Sequence, residues 1–226
     1  MLLDDGSVAC RGGFAAGGET QVVGVEDNGT IAGLTGKKAT QIAAGTGHAC
    51  ARIEDGSVVC WGTNDFAELG LSGTVASPGL AVSVAPGVSS LPAKVAQVGA
   101  GEHFSCARTD GGEVYCWGAM THADHASSPA RVAGLPPVID MGVAEHNVCA
   151  RAYDDALWCW GDDLSGQSGV HPTVDSVPPT KLEGVNGVVT ELAPSSLAYY
   201  ARTLDGKVWA WGNTGSKTSF PHVIGR

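Results

Sequence analysis

The stretch HACARIEDGSVVCWG, residues 48–62, sets Cys50 and Cys60 ten positions apart about an Asp-Gly and closes on Trp61-Gly62. Asp-Gly between two runs of alternating apolar residues is a strong local hairpin signal. A three-residue loop, Glu54-Asp55-Gly56, fits the spacing, with glycine where a left-handed residue is wanted. An even separation about an odd-numbered loop places the two cysteines opposite each other on one face of the hairpin.

The same text recurs along the chain. Trp-Gly pairs begin at Trp61, Trp117, Trp160 and Trp211, spaced by 56, 43 and 51 residues, and a degenerate Arg11-Gly12 lies 50 before Trp61. The segments ending on them read LLDDGSVACRG, CARIEDGSVVCWG, CARTDGGEVYCWG, CARAYDDALWCWG and YARTLDGKVWAWG. In the fourth of these, Ala156 falls at the glycine position, which predicts a strained or different turn. Upstream of four hairpins stands a second strand signal: QIAAGTGHAC, QVGAGEHFSC, DMGVAEHNVC and ELAPSSLAYY. A third opens with proline at Pro92, Pro129, Pro179 and Pro221, and proline donates nothing to a ladder, so these strands belong at an edge. About four short strands per repeat is the plan of a propeller blade. Ala43, Ala44 and Gly45 then belong to a crowded centre, and residues 71–91 to a loop between blades.

Composition agrees with an all-β chain. Its 226 residues hold 33 glycines and 11 prolines, scattered, with 43% hydrophobic residues. That suits many short strands joined by tight turns. No apolar run is long enough to span a membrane as a helix. The start turns acidic at Asp4, unlike a signal peptide. Thirteen Lys and Arg stand against 23 acids, a net charge of −10 with no basic run, which argues against nucleic acid as a partner.

The small-residue strand, the histidine, the Asp-Gly turn and the Trp-Gly together resemble the RCC1 (regulator of chromosome condensation) repeat, and the cysteine-bearing form resembles bacterial RCC1-like proteins. The resemblance covers nearly the whole chain as one domain, with repeats at about 11–60, 61–116, 117–159 and 160–210 and split blade ends at 1–10 and 211–226. It implies an RCC1-like β-propeller of four-stranded blades. Members usually close seven blades. The chain therefore reads as a partial ring of about four to five blades, with a smaller closed ring as the alternative. An open end exposes unpaired strand edges and invites self-association.

Seven cysteines resolve into Cys50 with Cys60, Cys106 with Cys116, Cys149 with Cys159, and an unpaired Cys10. Directly opposed strand positions lie within disulfide range. In the last copy both positions change together, to Tyr200 and Ala210. Disulfides are the first reading and reduced buried thiols the second. Zinc is the third, because metal-binding cysteines are usually spaced more closely. Disulfides point to an extracellular or periplasmic setting. With no export signal at its start, the chain reads as the downstream part of a longer protein.

Arg52, Arg108, Arg151 and Arg202 recur two positions after the first cysteine position, where the resembled repeats more often carry leucine. One reading is a ring of guanidiniums gripping an acidic partner. The other is local ion pairing with turn acids such as Asp55, Asp110, Asp154 and Asp205. His48, His103 and His146 drift in register and read as structural hydrogen-bonding residues. Trp61, Trp117, Trp160 and Trp211 read as core. Trp158 and Trp209 share a face and are candidates for an exposed aromatic pair in partner binding. No nucleophile, phosphate-loop or zinc-protease motif is present. The expectation is a non-catalytic extracellular protein-interaction module needing no cofactor and no metal. One specific form is an enzyme inhibitor, since a secreted β-lactamase inhibitor shares the RCC1-like fold. Nucleotide exchange on a small GTPase and a propeller lyase or hydrolase are the alternatives.

Overall fold

Each repeated Asp-Gly segment closes as a three-residue loop. Ile53 N–H donates to the Ser57 carbonyl at 2.8 Å and Gly56 N–H to the Ile53 carbonyl at 2.9 Å. Gly56 takes φ 86°, the left-handed residue such a loop requires. The same pair of bonds closes the turns at Leu3–Ser7, Thr109–Glu113, Ala152–Ala156 and Thr203–Lys207. In the Ala152 turn the left-handed position is held by Asp155 at φ 63°. Ala156 stands one place later, at the position that Ser57 holds in the first blade, so the irregular residue of that turn is Asp155.

The computed structural model describes residues 1–9, 14–16, 19–21, 31, 34–71, 82–84, 91–121, 125–169, 174–215 and 220–225. They divide into two compact units, Met1–Arg131 and Val132–Arg226. The first holds a short pair, β1 (Phe14–Ala16) and β2 (Glu19–Gln21), and two four-stranded sheets. One sheet is β3 (Ala39–Ala44), β4 (His48–Ile53), β5 (Val58–Gly62) and β6 (Val82–Val84). The other is β7 (Val95–Ala100), β8 (Phe104–Thr109), β9 (Val114–Ala119) and β10 (His125–Arg131). The second unit holds β11 (Val138–Val143), β12 (Asn147–Ala152), β13 (Leu157–Asp163) and β14 (Val174–Leu182) as one sheet. Its other sheet is β15 (Val189–Pro194), β16 (Ala198–Thr203), β17 (Val208–Gly212) and β18 (His222–Gly225). All pairing is antiparallel. The fold is an all-β propeller with four complete blades.

Proline falls where its missing N–H costs least. Pro129 and Pro179 lie in the edge strands β10 and β14, and Pro221 precedes the edge strand β18. Pro92 departs from the expectation. It lies in no strand, and the edge of the first blade is β6, inside the stretch read as a loop. Val82-Ser83-Val84 has an N–H at every residue and two β-branched side chains, which suits a ladder better.

Inner strands of neighbouring blades pack backbone to backbone. In the first unit a Cβ on Gly45 would lie 2.1 Å from the Gly101 carbonyl oxygen, so only a bare α-carbon fits. Beside it the Gln41 side chain substitutes for a strand. Its amide donates to the Val98 carbonyl at 3.1 Å and accepts from Val98 N–H at 2.9 Å.

The Trp-Gly pair has a two-part explanation. Trp61, Trp117, Trp160 and Trp211 are buried. The glycines that follow take φ between 84° and 112°. There a Cβ would meet the facing backbone, for instance His146 O at 2.7 Å from Gly161 and His103 O at 2.4 Å from Gly118. A side chain is thus barred by conformation and by space together.

Cys50 faces Cys60, Cys106 faces Cys116 and Cys149 faces Cys159 in register, each joined by a disulfide with Cα atoms 4.0, 4.1 and 4.1 Å apart. Counting from the bonded Ile53–Ser57 pair puts Cys50–Cys60 at a non-hydrogen-bonded position, where opposed strands come closest. Tyr200 faces Ala210 in the fourth blade. Cys10 and Arg11-Gly12 lie outside the described residues.

Replacing Gly161 by alanine is expected to lower unfolding stability in urea by more than the about 1–3 kcal/mol of left-handed strain alone. Gly134→Ala is the control, because Gly134 has φ 82° with open space around its Cα. It should lose the strain term only.

Candidate functional site

The four arginines stand in register with residues of the adjoining inner strand: Arg52 with Gln41, Arg108 with Gln97, Arg151 with Asp140, Arg202 with Glu191. Among the described residues, bonds to those neighbours form in the second and fourth blades. Arg108 Nε donates to Gln97 Oε1 at 3.3 Å, and Arg202 Nε pairs with Glu191 Oε2 at 3.1 Å. Arg151 pairs with Asp155 Oδ1 at 3.4 Å. Three of the four guanidiniums therefore have partners in their own blade. Arg52 is half-buried, and its buried Nε has no partner among the described residues.

The turn aspartates have another occupation. Asp5, Asp55, Asp154 and Asp205 accept backbone N–H bonds from the residue two positions on. Hydrogen bonds from Ser57, side chain first and backbone second, hold the Asp55 carboxyl below its ordinary range. The Lys207 ammonium and then the Thr203 hydroxyl bring Asp205 to about 2. Among the described residues the Ala152 turn ties an arginine to a turn acid, and that acid is Asp155 rather than Asp154.

Trp158 and Trp209 do not form an exposed pair. Trp209 is 7% exposed and belongs to the core shared by the third and fourth blades, with Tyr199, Trp211 and Leu157. Trp158 is half-buried. The two share a strand position, but burial depends on what packs above each.

The histidines separate by role. His48 is fully buried, with Nε2 2.8 Å from Ser105 Oγ. Ser105 donates its single proton to the Glu68 carbonyl at 2.9 Å. The imidazole must then be the donor to Ser105, with its proton on Nε2. A serine beside a donating imidazole is not activated, and both residues are sealed from solvent, so this pair is architecture. The Glu68 carbonyl also accepts from Trp117 Nε1 at 2.7 Å. His103 stacks on Phe66 with ring centroids 4.1 Å apart and lies 3.8 Å from Glu68 Oε1 and 3.7 Å from Glu102 Oε1.

Glu68 anchors a loop that the repeat pattern does not show. Asn64 Oδ1 accepts from Leu69 N–H, and Glu68 Oε2 accepts from Phe66 N–H, both at 2.9 Å. The second unit repeats the device. Asp163 Oδ1 accepts from Ser168 N–H and Gln167 Oε1 from Ser165 N–H, both at 2.8 Å. NDFAELG and DLSGQSG, each just after a Trp-Gly, share an Asn/Asp, a Glu/Gln four later and a glycine two beyond. That spacing was the available signal. In the second unit Tyr199 takes the place of Ser105. Its hydroxyl lies 3.1 Å from the Gly142 carbonyl and 3.0 Å from that of Asn147, and burial keeps it protonated.

Burial, reinforced by nearby His103, pulls His48 down to about 4. The folded protein holds it neutral while the unfolded chain protonates near 6.5. This contribution is complete above pH 6.5 and falls as pH drops toward 4, by about 3 kcal/mol in all. His48→Asn, the residue type at the equivalent position 147, should flatten the fall in unfolding stability measured between pH 7 and pH 5. An unchanged slope would contradict the buried neutral imidazole.

The sequence profile of the Regulator of chromosome condensation (RCC1) repeat matches residues 39–67 and 95–123, the first two blades up to and just past their Trp-Gly. Protein RCC1 from Candida albicans is 35% identical over 92 residues, covering 38% of this chain and 20% of that protein. The crystal structure of Prp20p from Saccharomyces cerevisiae aligns at a TM-score of 0.74 and 19% identity, covering 88% of this chain and 55% of that one. That of human WBSCR16 aligns at 0.71 and 22% identity, covering 83% and 52%. The chain thus spans about half the length of these solved structures and a fifth of the curated relative. Repeated text and blade architecture lead to one conclusion: the chain is an all-β propeller of four RCC1-like blades, two of which match the RCC1 repeat profile.

Proposed function

We propose that this chain is a non-catalytic interaction module that works outside the cytoplasm, holding protein-binding loops on a stapled propeller in the manner of an enzyme inhibitor. The observation that carries the reading is the pairing of a constant frame with variable tips. Three disulfides lie within the blades, five of their six cysteines fully buried. Buried staples of this kind are characteristic of oxidising compartments. On this frame the hairpin tips differ in chemistry, from Glu54 and Asp110 to Tyr153 and Leu204, all exposed. Rigid elements presenting varied loops suit recognition, because little ordering entropy is lost on binding.

The fold likeness favours a second reading. Prp20p binds Gsp1p and histones, and yeast RCC1 has been crystallised bound to Kap60. By that analogy the chain would act on a small GTPase, in a reducing compartment where paired cysteines are out of place.

Two measurements separate them. Fractionation of source cells should recover the protein from the extracellular or periplasmic fraction, and recovery with the cytosol would contradict the proposal. Added to a small GTPase loaded with labelled nucleotide, the protein should leave the release rate unchanged. Accelerated release would establish the second reading.

A further inference from the structure

The three disulfides are alike in register and differ in cover. Cys50 and Cys60 lie in a buried cluster with Val95, Val98, Tyr115 and Trp117 of the following blade. Cys149 and Cys159 lie in another, with Val189, Tyr199, Trp209 and Trp211 of the blade that follows them. Cys106 and Cys116 belong to none of the buried clusters among the described residues. Cys106 is still 0% exposed, as are the four cysteines of the other bridges, whereas Cys116 is partly exposed.

The sheet around this bridge opens on the Cys116 side. Across the second blade Gly99, Cys106, Cys116 and Ala130 stand in one row of direct register. Gly99, on the inner side, is buried, and Ala130, on the outer side, is exposed and offers a single methyl group as cover. In the other two blades the residue facing the outer cysteine is larger: Val82 faces Cys60 and Thr180 faces Cys159.

We infer that the Cys106–Cys116 disulfide is a thiol-reactive modification site, opened by attack of a small thiol on the Cys116 sulfur, while the other two bridges are structural. The incoming thiolate forms an S–S bond to Cys116 Sγ. The bond to Cys106 breaks, and its electron pair leaves with Cys106 Sγ, which takes a proton from solvent. A second thiolate then attacks the small-molecule sulfur of the mixed disulfide and releases Cys116 as its thiolate. Two small thiols are thereby oxidised to their disulfide, and the bridge is reduced by two electrons. Exchange of this kind requires access to the sulfur. A bridge sealed in a packed cluster grants that access only when its blade opens. The inference needs the disulfides and is independent of the interaction-module reading.

The test is treatment of the native, oxidised chain with reduced glutathione, followed by N-ethylmaleimide and peptide mapping by mass spectrometry. Glutathione should appear on Cys116 and maleimide on Cys106 about tenfold or more faster than either label reaches Cys50, Cys60, Cys149 or Cys159. In denaturant the three bridges should open at similar rates, because the fold alone sets them apart. Cys10→Ser should give the same order, which removes shuffling by the chain's own thiol as the cause. Ala130→Val, which installs the residue type facing Cys60, should slow opening at Cys116 with the other two rates unchanged and the melting temperature no lower. The inference is overturned by another bridge opening first, by all three opening together in the native chain, or by a first adduct on Cys106. It is equally overturned by no opening at glutathione concentrations that open all three in denaturant, by loss of the order in Cys10→Ser, or by an unchanged rate in Ala130→Val.

Discussion

Everything in this structure depends on the pairing register of one short hairpin. Once residue 50 faces residue 60, alternation decides the face of every neighbour, and a slip of one position would turn the core outward. The register is set by the three-residue turn, whose left-handed residue and capping aspartate leave little choice. It also brings the two sulfurs to the close, non-hydrogen-bonded spacing. Trp61 and Gly62 then follow without further freedom. The indole is buried, and the next residue must be glycine because the facing strand's backbone is already there. The disulfide locks a register that the turn has chosen.

Between blades a second set of contacts acts, and it is polar. Gln41 completes the hydrogen bonding of Val98, and the Glu68 carbonyl collects protons from Ser105 and Trp117. Such groups stabilise modestly when paired and cost heavily when left alone, so they specify which surfaces meet more than they strengthen the meeting. The second unit reaches the same end with Tyr199, whose hydroxyl bonds to the neighbouring blade and whose ring stacks on Trp211 at 5.6 Å.

The hairpins, the edge prolines of the second, third and fourth blades and the cysteine partners were legible because each rests on local chemistry: a turn residue, a missing N–H, a two-residue period. The site was less so. Asn64 and Glu68 act in a non-periodic loop, and what Glu68 offers the next blade is its backbone carbonyl, which residue identity does not reveal. Trp158 and Trp209 hold equivalent positions, yet one is half-buried and the other belongs to the buried cluster shared by the third and fourth blades, a difference that residue identity does not reveal. The fourth hairpin's irregular residue is Asp155, not Ala156, because hydrogen-bond closure, rather than the look of the text, fixes which residue turns left-handed. Tyr153 and Leu204 are ordinary residues in the text until the fold places them at exposed hairpin tips equivalent to Glu54 and Asp110.

The central claim is that each cysteine couple is joined across a single hairpin, and the most direct measurement is peptide mapping of the unreduced, alkylated protein by mass spectrometry. The account predicts linked peptides joining Cys50 to Cys60, Cys106 to Cys116 and Cys149 to Cys159, with alkylation at Cys10. Bridges between different hairpins, or alkylation of all seven cysteines in protein prepared under oxidising conditions, would contradict it.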